Sequence, residues 1–135
     1  MVMAAEKIYL DACCVMRLND DQSQSRIRME TDAVRTIIRL VAQGAVVWTG
    51  GSALTAEIES GPETEFRREA LQICAQFSVP CVFSERVKLR AKLLYELGFG
   101  ELDAIHLASA ENSACLVLLT TDDRFVKRRR NAEAS

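Results

Sequence analysis

The sequence predicts a three-layer α/β/α fold with a central parallel sheet. Short β-type segments alternate with longer segments of helical periodicity, and this alternation is typical of a parallel sheet with helices on both sides. The last strand segment, residues 116–119, is a continuous apolar run, as expected for a strand covered on both faces. A length of 135 residues fits one domain, 1–135, ending in a basic tail from about residue 126.

Four strands are predicted from apolar and β-branched runs that end at turn residues or carboxylates. They are residues 8–12, 45–49, 79–83 and 116–119. Pro80 lacks the N–H that a central strand needs, so we expect the third strand at an edge of the sheet. The order of the strands does not follow from the sequence.

Five helices are predicted between these strands from apolar residues at helical spacing. They are residues 28–43, 52–60, 63–77, 84–97 and 101–112. Ser52 and Ser84 are the expected N-caps of the second and fourth helices, and Gly98 ends the fourth. Phe66, Ala70, Ile73 and Phe77 share the predicted buried face of the third helix. The polar residues 19–26 are expected to form a loop.

Composition limits the classes of function. With 49% hydrophobic and 27% charged residues the chain is not a disordered tail, and a net charge of −2 gives no overall attraction for nucleic acid. Any polyanion contact therefore needs a local patch, for which residues 127–130, Lys-Arg-Arg-Arg, are the candidate. A solvated tail is an equally good interpretation of that run.

Localisation and redox state follow from what the sequence lacks. Residues 1–7 carry no apolar run behind a basic segment, and the longest apolar stretch, residues 114–119, is too short to cross a bilayer. We therefore expect a cytoplasmic protein without a membrane segment. Five cysteines without metal-site spacing are expected to be reduced and packed.

Four carboxylates fall where a parallel sheet binds its ligands, outside the carboxyl ends of the strands. Asp11 closes the first strand and Asp122 follows the last. Glu57 lies on the helix entered from the second strand, and Asp103 lies in the first turn of the helix that leads into the last. A single aspartate at such a position is more often a cap or turn residue, so the prediction depends on all four meeting at one edge.

Carboxylates brought together in this way need a counter-ion. Two of them about 4 Å apart repel by on the order of 4 kcal/mol at an effective dielectric near 20. Oxygen-only ligands favour Mg²⁺ or Mn²⁺ over zinc, and such a cation activates water and neutralises charge on a phosphate.

The same residues carry a resemblance to a known family. The segments Ile-Tyr-Leu-Asp11, Ser52-x-Leu-x-x-Glu57, Asp103-Ala-Ile-His-Leu-Ala and Thr120-x-Asp122-x-x-Phe resemble the PIN-domain pattern over residues 8–125. Size and the DAIHLA and TTDDRF segments are most similar to the VapC-type toxins. The resemblance implies a Mg²⁺- or Mn²⁺-dependent endoribonuclease that leaves a 5′-phosphate and a 3′-hydroxyl. It also implies an RNA substrate, a VapB-like antitoxin as partner and a homodimer.

The resemblance assigns the catalytic and metal-binding roles to Asp11, Glu57, Asp103 and Asp122. Asp11 and Asp103 are the expected direct ligands, and Glu57 and Asp122 complete the set directly or through water. Thr120 is expected to orient the site by hydrogen bonding. Asp123 replaces Asp122 if the register differs by one residue.

His106 is the only histidine of the chain and lies one helical turn after Asp103. A base or ligand role is conceivable, but a structural role is favoured because the cation can generate the nucleophile without a histidine.

Two rival functions stay open. One is a catalytically silent PIN-like module that binds RNA or protein. The other is a phosphoryl-transfer domain of receiver or haloacid-dehalogenase type, which also places an aspartate after its first strand. The sequence Asp11-Ala12-Cys13 lacks the Asp-x-Asp of the dehalogenases and the acidic pair of the receivers. No P-loop or GxGxxG site is present.

Overall fold

The computed structural model describes the backbone of residues 5–134 and the side chains of residues 5–131. Residues 1–4 and 135, part of the predicted domain 1–135, lie outside the described residues. The elements in chain order are β1 Glu6–Leu10, α1 Ala12–Met16, a 3₁₀ turn Arg17–Asn19, α2 Ser25–Ala42, β2 Val46–Gly51, α3 Ser52–Glu59, α4 Glu65–Phe77, β3 Ser78–Cys81, α5 Glu85–Glu96, α6 Glu101–Asn112, β4 Val117–Leu119 and α7 Asp123–Ala134.

The four strands form one parallel sheet in the order β3-β2-β1-β4. Ile8 of β1 is in register with Trp48 of β2 and with Val117 of β4, and Trp48 pairs with Ser78 of β3. Because every pair is parallel, the carboxyl ends of all four strands lie at the same edge of the sheet. The predicted edge position of the strand that contains Pro80 is confirmed.

Two apolar clusters cover the two faces of the sheet. Alternation along β1 sends Ile8 and Leu10 into a cluster with α1 to α4, in which Trp48 is fully buried. Residues of α5, α6 and α7 form the second cluster, which packs against Leu118 of β4. The predicted three-layer α/β/α architecture is confirmed.

Several local signals act as predicted. The hydroxyl of Ser84 accepts a hydrogen bond from the Val87 N–H at 3.3 Å and caps α5. Gly98 follows α5 with φ +107°, a conformation that favours glycine, and so stops the helix. Helix α6 has the predicted bounds.

Other local predictions are wrong. Ser52 is the first residue of α3 and does not cap it, because β2 continues through both glycines and Gly51 takes the N-cap position. Those glycines allow β3 to approach closely: a Cβ on Gly51 would lie 2.7 Å from Cys81 Sγ. Helix α2 begins at Ser25, inside the expected loop.

Two apolar runs are less buried than expected. Strand β4 packs on both faces, with Leu119 against the first cluster and Leu118 against the second, but Val117 and the preceding Leu116 are 41% and 67% exposed at this edge of the sheet. Phe66 lies in the first turn of α4 and is 52% exposed. It does not belong to the apolar cluster into which Ala70 and Cys74 of the same helix pack. Neither the short helix α1 nor helix α7, which occupies most of the expected tail, was predicted.

All five cysteines are free, in agreement with the expected reduced state. Within residues 5–134, no helix is both long enough and apolar enough to span a bilayer.

Candidate active site

Asp11 occupies the turn between β1 and α1 and is 4% exposed. Its Oδ1 accepts hydrogen bonds from the backbone N–H groups of Cys13 at 3.0 Å and Cys14 at 3.4 Å, so the carboxylate is the N-cap of α1. The Cys13 thiol lies 2.5 Å from the same oxygen. Burial, followed by the effect of Cys13, raises the pKa of Asp11 to about 7. Hydrogen bonds therefore hold the carboxylate in place, but its surroundings do little to stabilise its negative charge.

Thr120 connects Asp11 to the end of β4. Its hydroxyl donates to Asp11 Oδ2 at 2.6 Å and accepts from the Asp122 N–H at 3.0 Å. The role predicted for Thr120, orientation by hydrogen bonding, agrees with these contacts. Asp122 Oδ1 accepts from the Arg124 N–H at 2.9 Å.

Asp122 and its neighbour Asp123 have different surroundings. Asp123 forms an ion pair with Arg26 at 2.8 Å, and its side chain is 77% exposed. Arg26 lowers the pKa of Asp123. Asp122, in contrast, lies close enough to Asp103 to raise the pKa of that carboxyl. Asp122 is therefore the residue of the pair that faces the other acids.

Asp103 lies in the first turn of α6 and its side chain is 16% exposed. Its pKa is raised by burial, then by the charges of Asp122 and Asp11. The Arg128 guanidinium, from α7, donates to Asp103 Oδ2 at 3.3 Å and opposes that shift only in part. Three predicted site residues, Asp11, Asp103 and Asp122, thus form one set of interacting charges.

Glu57 has a different partner. Its Oε2 lies 2.6 Å from Nε2 of His106, whose ring is fully buried. The other ring nitrogen, Nδ1, lies 2.7 Å from the hydroxyl of Tyr9. His106 also lowers the pKa values of Asp11 and Asp103, so its ring lies near both aspartates as well as against Glu57.

The four acids are not drawn into one cage. Among the described residues, the group of three candidate ligands whose ligand atoms all lie within 4.8 Å of one another is Asp11, Cys13 and Cys14. Arg128 on Asp103 and His106 on Glu57 stabilise this spread arrangement.

The PIN domain family model matches residues 8–131. The chain belongs to the PIN-domain family. No curated protein matches the chain at a significant level. PIN domains are generally nucleases that use divalent metals, and membership argues against the phosphoryl-transfer alternative.

The donor set of this PIN domain fits a hard divalent cation. Three aspartates offer carboxylate oxygens, the ligand type that Mg²⁺ and Mn²⁺ prefer, and the raised pKa values of Asp11 and Asp103 show that little positive charge stabilises their ionised forms. Cys13 and Cys14 are soft donors, but the Cys14 thiol donates to the Leu119 carbonyl at 3.4 Å and is buried.

Sequence reasoning missed three contacts of the PIN site. Cys13 was considered only as a small apolar residue, although it directly follows the turn that Asp11 caps. The role of Tyr9 could have been inferred from alternation in β1, since Ile8 and Leu10 face the other layer. The contact of Arg128 with Asp103 depends on α7, which was not predicted.

A cavity of about 600 Å³ opens beside Asp122, between α2 and the start of α7. Its lining includes three arginines, Arg17, Arg26 and Arg124, and the three acids with which they form ion pairs, Glu30, Asp122 and Asp123. The cavity therefore places guanidinium groups next to the acidic set of the PIN domain.

Proposed function

We propose that this PIN domain is a metal-dependent endoribonuclease that hydrolyses RNA phosphodiesters. The observation that carries the proposal is the set of three aspartates at one edge of the sheet: burial raises the pKa values of Asp11 and Asp103, and the charges of Asp122 and Asp11 raise that of Asp103 further. A protein gains no stability from such a set. Binding of a cation is the function that explains why ionisable groups are kept there.

In this proposal Asp11 and Asp103 hold Mg²⁺ or Mn²⁺ directly, and Glu57 and Asp122 complete the set. The cation, when bound, supplies positive charge for the scissile phosphate and acidifies water. Thr120 fixes the orientation of Asp11, and the backbone N–H groups of α1 hold its other oxygen.

The arginines of the cavity beside Asp122 are proposed to hold the RNA backbone. Guanidinium groups bind phosphates with paired hydrogen bonds, and they offset the repulsion between an acidic site and a polyanion. Single-stranded RNA is the proposed substrate, since proteins that recognise an RNA sequence mostly bind unpaired strands.

Cleavage in the presence and absence of metal tests the proposal. Purified protein should cut a fluorescently labelled single-stranded RNA with Mg²⁺ or Mn²⁺, stop when EDTA is added, and recover when Mn²⁺ is restored. Equal cleavage in EDTA would contradict the metal mechanism. RNA binding without cleavage under any metal would favour the catalytically silent module.

We also propose that the protein is a cytoplasmic toxin of the VapC type, paired with a VapB-like antitoxin. The DAIHLA and TTDDRF segments support this assignment. A homodimer is proposed as well, supported by Leu89, Leu93 and Leu97, which follow at intervals of four residues along α5 and are 65%, 53% and 54% exposed. Such an apolar stripe suits a protein partner.

Growth tests the toxin proposal. Expression of the chain alone should arrest growth, and the Asp11→Asn variant, at equal protein level, should relieve the arrest because cleavage is lost. Co-expression of the neighbouring small reading frame should also relieve it. Equal growth arrest by the wild type and Asp11→Asn would show that the effect is not catalytic.

A further inference from the structure

His106 joins three elements through its two ring nitrogens. Nδ1 contacts the hydroxyl of Tyr9 on β1 at 2.7 Å, and Nε2 contacts Glu57 Oε2 on α3 at 2.6 Å, while the imidazole itself belongs to α6. The ring is 0% exposed, as is Tyr9. Both of its polar atoms are therefore satisfied by protein groups in a site closed to water.

The chemistry of Tyr9 and Glu57 determines which of these groups can donate and which can accept. Among the described residues, Nδ1 of His106 is the hydrogen-bond partner of the Tyr9 hydroxyl. Burial and the nearby charge of Glu57 raise the pKa of Tyr9, so the phenol keeps its proton. The Glu57 carboxylate is an acceptor, so Nε2–H donates to it, while the Tyr9 hydroxyl is the hydrogen-bond partner of Nδ1.

We propose that Tyr9 and His106 are positioning residues that fix the carboxylate of Glu57 for a divalent cation at the strand ends. This inference rests on the proposed function, because it takes Glu57 as part of the cation site. His106 occupies Oε2, whereas Oε1 has no hydrogen-bond donor among the described residues and is open to a cation or its water. Carboxylates that ligate metals are themselves held by hydrogen bonds, and removal of such an outer partner typically weakens metal binding.

A purely structural role explains less of this geometry. An apolar side chain would fill the space of His106 without the cost of burying two polar nitrogens. The hydrogen bonds connect the buried Tyr9 and His106 to Glu57, whose side chain is 32% exposed. The His106 ring also lies close enough to Asp11 and Asp103 to lower the pKa values of both. The buried pair therefore fixes a partly exposed carboxylate that would otherwise rotate freely.

Mn²⁺ affinity of the metal-free protein, measured by titration calorimetry without RNA, tests the proposal. Tyr9→Phe keeps the aromatic ring in the core but removes the hydroxyl that holds Nδ1 of His106, so the imidazole holds Glu57 less firmly. We expect Mn²⁺ binding about tenfold weaker than in the wild type. Tyr95→Phe, a matched change at a 60% exposed tyrosine on α5, should leave the affinity unchanged.

A double-mutant cycle with Glu57→Gln separates the two proposals. If Tyr9 acts through Glu57, Tyr9→Phe should weaken Mn²⁺ binding in the wild type but not in the Glu57→Gln background. Equal weakening in both backgrounds, or none in the wild type, would overturn the positioning role while the proposed function stands. If Glu57→Gln and Asp11→Asn both bind Mn²⁺ like the wild type, the proposed function itself fails.

The single histidine gives an independent readout. Long-range ¹H–¹⁵N spectra of the untagged protein contain one imidazole, so its tautomer can be observed directly. We expect a proton on Nε2, the nitrogen that faces Glu57, in the wild type, and loss of this single assignment in Tyr9→Phe. An Nδ1–H tautomer in the wild type would overturn the proposed direction of the chain of hydrogen bonds.

Discussion

Replacing Asp103 with asparagine is expected to raise the melting temperature of the metal-free protein by about 4 °C. This shift corresponds to a gain on the order of 1 kcal/mol in the free energy of unfolding. The physical reason is that burial and the charges of Asp122 and Asp11 oppose ionisation of Asp103. The variant loses the contact with Arg128, but an ion pair with a partly exposed arginine contributes little. Stabilisation by Mn²⁺ should be lost at the same time.

The difference in melting temperature between Asp103→Asn and the wild type should depend on pH. A raised pKa means that ionised Asp103 destabilises the folded state, so the advantage of Asp103→Asn is fully present at pH 8. As the pH falls through the raised folded pKa towards 3.8, the wild-type residue takes up a proton and the advantage disappears. Thermal melts at pH 8 and near pH 4, without metal, measure the difference.

Asp123→Asn is the matched control for this prediction. Arg26 lowers the pKa of Asp123, so removal of its charge should not raise the melting temperature. The control should still gain stability from Mn²⁺, by about 10 °C when the cation is near 100 times its dissociation constant. A lower melting temperature for metal-free Asp103→Asn, with full stabilisation by Mn²⁺, would mean that Asp103 serves only the first turn of α6.

Asp11→Asn is expected to reduce the rate of RNA cleavage by about 10³-fold, because several kcal/mol of cation-dependent stabilisation of the transition state are lost. The fold should survive this change. Asparagine is a good N-cap, its carbonyl can still accept from the Cys13 N–H, and the Thr120 hydroxyl can rotate to accept from the new amide. Single-turnover rates with saturating Mn²⁺ measure the loss.

Circular dichroism and the melting temperature control for unfolding of Asp11→Asn. Since the pKa of Asp11 is about 7, the wild-type carboxyl is already partly protonated near neutral pH, and a neutral side chain is tolerated at this position. A folded Asp11→Asn variant that cleaves within a few-fold of the wild-type rate would remove Asp11 from the site.

Local signals explain how much of the fold was predictable. The alternation of strands and helices predicted the parallel sheet, and the bounds of α6 were correct because a glycine precedes it and its sequence is rich in the helix formers Ala, Leu and Glu. Ser52 was misassigned because a glycine pair can continue a strand as readily as end one. Helix α7 was missed because its run of basic residues resembles a solvated tail, although Phe125 anchors it in the core at 3% exposure.

The site was predictable in part for a similar reason. Asp11, Asp103 and Asp122 follow from strand and helix ends, because parallel strands bring those ends to one edge. The surroundings of Glu57 were not predictable, since its contact with His106 spans 49 positions and that of His106 with Tyr9 spans 97. Long-range pairs of this kind depend on how α3 and α6 pack, and no local pattern in the sequence encodes it.

Direct binding of Mn²⁺ tests the central hypothesis, that the aspartates at the strand ends hold a divalent cation. The measurement is the dissociation constant of Mn²⁺ for the metal-free wild type, Asp11→Asn and Asp123→Asn, by calorimetry at one pH and ionic strength. We expect saturable binding to the wild type and to Asp123→Asn with the same affinity, and binding at least about tenfold weaker to Asp11→Asn. The same dissociation constant for all three proteins, or no binding to the wild type, would contradict the cation site.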